Sequence, residues 1–290
     1  MVYLKLANLP QCWMGNGRNG IGNGDRMSWS LFTFSKTHAG KVRPYNEDAL
    51  LDMTARRVWV VADGMGGHSA GDVASQMLVD RIERFVLDTP DFGIDELRQM
   101  IEVANREIFQ YAQVHLDGKT MGSTVVLLFL QDGYFHCLWV GDSRIYLLRD
   151  NHLVQKTRDH SQVMELVEQG LLAEEDAEKH PLANVITRAV GVEETVRIDQ
   201  QSGQLLHGDQ FLLCSDGLTK ELSNSEIHQI MCADSVNQSG LALLHAALVR
   251  GANDNVTCAL IKVAKEKQLV QEGVSHSSDA TVPVYARRRV

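Results

Sequence analysis

The sequence predicts an α+β sandwich, in which paired helices lie outside mostly antiparallel sheets. Two observations favour this class. Short apolar segments rich in β-branched and aromatic residues recur between Trp29 and Lys262, and polar turns separate them. Between them lie segments whose apolar residues are three and four positions apart, as in an amphipathic helix. With 290 residues, 44% of them hydrophobic, the chain can bury one large core, and we expect a single domain at 29–264.

The first half of this domain begins with the β-favouring segment WSLFTFS at 29–35. Two short strands are predicted at 49–53 (ALLDM) and 57–63 (RVWVVAD), with a polar turn between them. Residues 69–87 and 95–114 each place their apolar side chains on one helical stripe. The first half therefore contains two long amphipathic helices.

The second half of the domain is richer in strands. Three consecutive antiparallel strands are predicted at 123–131, 134–142 and 143–150, and an Asp-Gly turn joins the first two. Two further apolar strands are predicted at 208–217 and 255–263. Strands in meanders and paired helices are typical of a sheet-based sandwich with helices on its outer faces.

The remaining segments are helices, a loop and the two ends of the chain. Helices are predicted at 223–232 and 240–251. The polar segment 157–191 has few strand signals and is interpreted as a flap over a site. Residues 1–28 are rich in Gly and Asn and are expected to form a flexible extension, and 265–290 a solvated tail.

Composition excludes several classes of function. The net charge of -9 disfavours binding to nucleic acid, which requires a basic surface. The five cysteines are odd in number and three lie in apolar strand-like segments, which favours free thiols in a reducing compartment. The sequence contains neither a signal-peptide core near its start nor an apolar segment of transmembrane length. We expect a cytoplasmic protein that binds neither membranes nor nucleic acid.

Acidic residues occur at the ends of the apolar strands. These residues are Glu47, Asp48, Asp63, Asp142, Asp216 and Asp254. A single Asp-Gly pair is ordinary turn chemistry, but clustered carboxylates are destabilising unless a cation neutralises them. Oxygen ligands without a Cys or His set favour Mg²⁺ or Mn²⁺. The sequence therefore predicts a divalent-metal centre, with Asp63, Asp216 and Asp254 at its core.

Six motifs occur in a fixed order along the chain. They are RPYNEDA (43–49), VADGMGGHSAG (61–71), GSTVV (122–126), VGDSRIY (140–146), SDGL (215–218) and GANDNVT (251–257). This set resembles the metal-dependent protein phosphatases, the protein phosphatase 2C family, and the DGMGGH form is similar to its bacterial serine/threonine branch. The strands, the helices and this resemblance together predict a four-layer αββα sandwich.

The resemblance implies two Mn²⁺ or Mg²⁺ ions in the active site. Asp63 would bridge them, the Gly64 carbonyl and Asp48 would serve one ion, and Asp216 and Asp254 would hold the other.

Four further residues have smaller implied roles. Glu47 would reach the first ion through water, Asp142 would bind a third and weaker ion, and Asn255 would orient a nearby carboxylate. Thr124 is interpreted either as a packing residue or as a hydroxyl near the site.

The chemistry is consistent with these residue types. Two cations about 3.5–4 Å apart share a water and lower its pKa, so no covalent nucleophile is needed. Arg43 is predicted to bind two phosphoryl oxygens. His68 is the candidate general acid, although Met65 stands where many eukaryotic members have a histidine after Asp-Gly, and His68 could equally be a helix N-terminal residue without a catalytic role. His160 is a loop candidate only.

The predicted function is hydrolysis of phosphoserine and phosphothreonine on proteins, reversing a cognate serine/threonine kinase, by a monomer. Two alternatives keep the fold: a pseudophosphatase that only binds, and a phosphatase of a small phosphorylated metabolite. A dinucleotide-binding turn is disfavoured because Ser69 stands at the third glycine position and Asp63 would lie beside the pyrophosphate.

Overall fold

A computed structural model describes residues 29–66, 70–116, 119–177, 180–183 and 185–265. The predicted extension at 1–28 and nearly all of the predicted tail at 265–290 lie outside the described residues.

The described chain forms eleven strands, seven α-helices and one 3₁₀ helix at Thr54–Arg56. The strands are β1 Trp29–His38, β2 Asp48–Met53, β3 Val58–Gly66, β4 Met121–Ser123, β5 Val125–Gln131, β6 Tyr134–Val140, β7 Arg144–Arg149, β8 His152–Gln155, β9 Asp199–Gln204, β10 Gln210–Cys214 and β11 Val256–Lys265. The helices are α1 Ala70–Asp88, α2 Ile94–His115, α3 Gln162–Glu168, α4 Glu174–Ala177, α5 Asp216–Thr219, α6 Asn224–Met231 and α7 Val236–Arg250.

The strands form two antiparallel sheets. The first sheet has the order β1-β11-β10-β7-β8. The second has the order β2-β3-β5-β6-β9, and β4 pairs with the end of β3. One apolar cluster fills the space between the sheets, a second lies between the second sheet and α1 and α2, and a third lies between the first sheet and the helices α5 to α7. The predicted four-layer αββα sandwich is confirmed.

The periodicity of the side chains explains why both sheets are buried on two faces. In β10, Phe211 and Leu213 belong to the cluster between the sheets, whereas Leu212 and Cys214 pack towards the helices. In α1, Leu78 and Ile82 are fully buried and four positions apart, so one stripe of the helix covers the second sheet. Both patterns are visible in the sequence, which is why these elements were predictable.

The structure differs from the sequence at β7 and at two polar strands. β5 and β6 pair as predicted. β7 pairs with β10 and β8 of the other sheet, so the prediction that these three consecutive strands lie side by side was wrong. The chain crosses between the sheets at 141–143, where Gly141 has a φ of +102°. β8 and β9 lie at sheet edges and are polar and partly exposed, so they lack the alternation that would reveal them.

The polar segment 157–191 contains α3 and α4. Two isolated bridges hold its ends, one from Ser161 to Ile186 and the other from Ser123 to Val190. Within the part of the chain that the structure describes, none of the helices has the length and apolar character to cross a membrane.

Candidate metal centre

The acidic residues meet at one end of the sandwich because of strand register. Asp48 at the start of β2 lies opposite Asp63 in β3. Asp142 lies in the crossing between β6 and β7. The start of β7 pairs with the end of β10, and Asp216 begins α5 two residues after β10 ends. Asp254 precedes β11, whose start pairs with the end of β10. Carboxylates from both sheets therefore converge at this end.

Hydroxyl groups link the two sheets at this point. The Asp48 Oδ2 atom accepts hydrogen bonds from Ser215 Oγ at 2.8 Å and from Thr257 Oγ1 at 2.6 Å. Asp48 belongs to the second sheet, whereas Ser215 directly follows β10 and Thr257 lies in β11, both of the first sheet. Sequence reasoning missed both roles, although Ser215 and Thr257 lie inside the motifs SDGL and GANDNVT. These two donors orient one oxygen of Asp48 and leave the other free.

The backbone of Asp63 is fixed by Thr124. The Asp63 N–H donates to Thr124 Oγ1 at 3.0 Å, and the Thr124 N–H donates to the Asp63 carbonyl at 2.8 Å. Thr124 Oγ1 also lies 2.7 Å from Ser143 Oγ, beside Asp142. Thr124 therefore contributes a hydroxyl to the site, which was one of the two interpretations of this residue.

Three carboxylate oxygens at this end are buried without a hydrogen-bond partner: Oδ1 of Asp48, of Asp142 and of Asp216. Burying an unpaired carboxylate oxygen is costly. Burial raises the pKa of Asp48 to about 7 and, with help from Asp216, that of Asp142 to about 7. Burial and the neighbouring carboxylates, Asp48 first among them, hold the pKa of Asp63 well above its ordinary value. Such a cluster fits a bound cation.

Two basic side chains already pair with part of the cluster. Lys220 Nζ lies 2.5 Å from Asp216 Oδ2 and 3.2 Å from Asp254 Oδ2. The Arg43 guanidinium binds Asp254 through Nε at 3.0 Å and through Nη2 at 3.2 Å. Sequence reasoning missed Lys220, although its place four residues after Asp216 was a usable signal.

The described residues hold no ready-made metal cage, because no three acidic, histidine or cysteine side chains stand in a geometry that encloses an ion. The Asp216 and Asp254 carboxylates face Lys220 and Arg43 instead. The donor set is nevertheless all oxygen and includes three unpaired buried atoms. These residues fit Mg²⁺ or Mn²⁺ better than Zn²⁺.

Gly64 lies where the end of β3 meets the start of α1. A Cβ at this position would lie 2.0 Å from the Gly71 carbonyl oxygen and 2.6 Å from that of Glu47. The Gly64 N–H donates to the same Glu47 carbonyl at 3.1 Å. Glycine is therefore required by the close approach of three backbone segments, in addition to any role of its own carbonyl.

The Asn255 side chain differs from its expected role. Its Oδ1 accepts from the Glu47 N–H at 2.8 Å, and its Nδ2 donates to the carbonyls of Tyr45 and Ala39 at 2.9 and 3.0 Å. It thus holds the backbone that carries Arg43 and Glu47. The contact with a carboxylate comes from the Asn255 backbone N–H, which donates to Asp254 Oδ1 at 3.0 Å.

A family model described as Protein phosphatase 2C matches residues 37–251 of this chain. The chain belongs to the protein phosphatase 2C family. The predicted family is confirmed.

Three relatives place the chain within the family. A serine/threonine phosphatase stp of Listeria welshimeri is 37% identical over 82% of this chain and 96% of its own length. PppA, a key regulatory component of T6SS in Pseudomonas aeruginosa, has a TM-score of 0.73 and 40% identity over 82% of this chain and 99% of its own. The catalytic domain of the serine/threonine protein phosphatase PstP, in complex with two manganese ions, has a TM-score of 0.75 and 32% identity over 82% of this chain and 100% of its own.

The two candidate histidines have different outcomes. His68 lies outside the described residues. His160 is buried, and its Nδ1 accepts from the Gly141 N–H at 3.0 Å while its Nε2 lies 3.3 Å from Asp199 Oδ2. Burial and then Arg188, whose Nη1 atom lies 3.0 Å from Nε2, lower the pKa of His160. His160 therefore supports the crossing that carries Asp142.

Proposed function

We propose that this protein phosphatase 2C member hydrolyses phosphoserine and phosphothreonine on other proteins. The observation that carries the proposal is the convergence of buried, partly unpaired carboxylates from both sheets at one end of the sandwich. The family and the serine/threonine phosphatase relatives confirm the predicted enzyme class. A pseudophosphatase is disfavoured because Asp48, Asp63, Asp216 and Asp254 are all present.

The proposed cofactor is a pair of Mn²⁺ or Mg²⁺ ions. Asp63 would contact both, Asp48 and the Gly64 carbonyl would serve one ion with Glu47 nearby, and Asp216 and Asp254 would hold the other. When bound, such ions supply a water of lowered pKa and neutralise phosphoryl oxygens. The PstP domain in complex with two manganese ions supports a pair of ions, and the unpaired oxygens of this chain support carboxylate ligands for them. The unpaired Oδ1 of buried Asp142 supports a third, weaker ion there.

Arg43 is the proposed phosphate-binding residue. Its side chain is about half exposed and is held at the edge of the cluster by Asp254 and by the backbone that Asn255 fixes. A guanidinium in this place can bind two phosphoryl oxygens at once and adds positive charge at the edge of an acidic cluster.

Activity with and without metal tests this function. The purified full chain should hydrolyse an aryl phosphate and a phosphothreonine peptide in the presence of Mn²⁺ or Mg²⁺, and excess chelator should abolish both activities. Activity that persists in chelator would overturn the metal mechanism. Hydrolysis of small phosphorylated metabolites, but not of phosphopeptides, would instead favour the metabolite alternative.

His68 stays the proposed general acid for the leaving alkoxide. If it protonates the leaving group, His68→Ala should slow hydrolysis of a phosphoserine peptide more than hydrolysis of an activated aryl phosphate. Equal losses on the two substrates would remove this role.

The segment 157–191 is proposed to contact the substrate protein as a flap. Its residue Asp159 pairs at 2.7 Å with the guanidinium of Arg144, which lies two residues after Asp142. Its residues Ser161 and Met164 line a cavity of about 480 Å³. Exchanging 157–191 for the segment of a relative, with Asp159 and His160 retained, should change peptide preference but not aryl-phosphate hydrolysis. An unchanged preference would contradict the proposal.

The remaining proposals concern the cellular setting. We propose a monomer in the cytoplasm that reverses a cognate serine/threonine kinase. Phosphoproteomes compared with and without this enzyme would identify its substrates, and accumulation of the kinase's own phosphosites would support the pairing. Light scattering of the purified chain tests the monomer.

A further inference from the structure

Lys220 occupies an unusual place in the carboxylate cluster. Its ammonium contacts two acidic side chains at once, Asp216 Oδ2 at 2.5 Å and Asp254 Oδ2 at 3.2 Å. These two residues come from different elements, the start of α5 and the residues before β11. An ammonium is a compact point charge, so it is the side-chain group that most resembles a small cation. Lys220 thus bridges the two carboxylates assigned above to one ion.

We propose that Lys220 is an internal counter-ion that competes with the metal for Asp216 and Asp254. This inference rests on the proposed function, since it assumes that both carboxylates hold an ion. Lys220 holds Oδ2 of both carboxylates, and Asp254 Oδ1 already contacts Arg43 and the Asn255 N–H, so only Asp216 Oδ1 is free for an ion. A metal ion that binds both carboxylates must therefore compete with Lys220 for these oxygens.

The local structure permits this exchange at low cost. The Lys220 N–H donates to the Asp216 carbonyl at 2.8 Å, so the backbone is fixed. The Lys220 side chain is 34% exposed and has a flexible four-carbon stem, so it can turn towards solvent without moving α5. The exchange is then a side-chain event that sets how much metal is needed to fill this part of the site.

Arg43 is a weaker candidate for the same role. It contacts Asp254 but not Asp216, and its side chain is 50% exposed. Lys220 touches both carboxylates, and Asp216 is largely buried beside it. Removing Lys220 should therefore affect metal binding more directly than removing any other basic side chain of the described region.

Direct measurement of Mn²⁺ binding tests the proposal. The paramagnetic resonance signal of free Mn²⁺ gives the Kd and the stoichiometry without any assay of activity. Lys220→Met should lower the Kd for Mn²⁺ about five-fold, which corresponds to about 1 kcal/mol, because the ion no longer displaces an ammonium. Lys220→Arg keeps the charge and should stay within about two-fold of the wild-type Kd.

A matched control separates the local effect from net charge. Lys262→Met makes the same change of charge on β11, where Lys262 Nζ lies 3.3 Å from the Asp234 carbonyl and not at the cluster. Its Kd should equal that of the wild type. A second readout is the melting temperature in chelator, which Lys220→Met should lower because Asp216 and Asp254 lose their shared counter-ion. Lys220→Gln repeats both measurements if the Met variant folds poorly.

The outcomes separate this inference from the proposed function. The role of Lys220 would be overturned if Lys220→Met left the Kd for Mn²⁺ unchanged or raised it. It would also be overturned if Lys262→Met lowered the Kd by as much as Lys220→Met. Failure of the wild-type chain to bind Mn²⁺ would overturn the proposed function itself.

Discussion

The two halves of the carboxylate cluster differ in their counter-charges. In the paired half, Asp216 and Asp254 face Lys220, and Arg43 adds a second contact to Asp254. Burial alone would raise the pKa of Asp254, but Lys220 and then Arg43 bring it below its ordinary value. Asp216 is intermediate, because burial raises its pKa against the influence of Lys220.

The open half contains Asp48, Asp63 and Asp142, and the described residues place no basic side chain in contact with their carboxylates. Burial raises the pKa of all three. Both halves consist of aspartates at the same end of the sandwich. The difference in their pKa values therefore comes from the neighbouring basic side chains. In the metal-free protein the paired half is neutralised by the chain itself, whereas the open half depends on protons or on a metal.

The largest expected effect concerns activity. Asp63→Asn should lower kcat by about 10³-fold or more, equivalent to about 4 kcal/mol, because Asp63 is the residue assigned to both ions. Asp254→Asn should cost less, because its ion keeps Asp63 and Asp216. Steady-state kinetics on an aryl phosphate gives both values, and circular dichroism checks the fold. Asp88→Asn at the exposed end of α1 is the matched control and should be silent. Equal losses at Asp63 and Asp254 would contradict the assignment of Asp63 to both ions.

The next effect is the pH dependence of stabilisation by metal. In the metal-free protein Asp48 and Asp142 keep their protons up to about pH 7, whereas in the unfolded chain they lose them near the ordinary value of 3.8. The native state therefore binds more protons between these values, and its stability falls as pH rises from 3.8 to about 7. A bound cation replaces the protons and removes this loss.

Saturating Mg²⁺ should accordingly raise the melting temperature more at pH 8 than at pH 6, by at least about 3 °C. Differential scanning fluorimetry with and without chelator measures the difference. The double variant Asp48→Asn, Asp142→Asn lacks two of the three titrating groups of the open half, so the difference between pH 8 and pH 6 should be smaller than in the wild type. A larger rise at pH 6 would reverse the sign of the argument.

The fold was predictable wherever one element shows its own periodicity. α1, α2, β10 and β11 have stripes or buried alternation that need no partner to be recognised. The sheet to which β7 belongs was not predictable, because its partner β10 lies about 60 residues later and both strands are apolar on two faces.

The site was predictable in its acidic residues and not in their neighbours. The aspartates stand at strand ends, a position that can be read from sequence. The contacts of Lys220 with Asp254 and of Thr257 with Asp48 arise only when the two sheets pack together. The distinction between a paired and an open half is therefore a property of the folded chain.

A smaller effect is expected from the hydroxyls that hold the open half. Thr257→Val keeps a β-branched side chain in β11 but removes the 2.6 Å hydrogen bond to Asp48 Oδ2. Loss of this donor should raise the pKa of Asp48 further and weaken Mn²⁺ binding about ten-fold. Thr33→Val in β1 of the same sheet is the control. A Kd unchanged by Thr257→Val would show that Asp48 needs no such support.

The smallest effect is a shift in melting temperature, and it has opposite signs in the two halves. In chelator, Asp63→Asn removes a carboxyl group that must either hold a proton, because its pKa is raised, or bury a charge without a cationic partner, so it should raise the melting temperature. Asp254→Asn removes a carboxylate partner from both Lys220 and Arg43, so this variant should lower the melting temperature. Each change should be about 1 kcal/mol, or about 3 °C for a chain of this size.

Scanning fluorimetry in excess chelator measures both shifts, with Asp88→Asn as the silent reference. Shifts of the same sign would mean that the ion pairs of Asp254 contribute nothing beyond the cost of burying its charge. In that case Lys220 and Arg43 would merely lie near the carboxylates without stabilising them. Opposite signs would show that the chain neutralises one half of its metal centre by itself and leaves the other half to the metal.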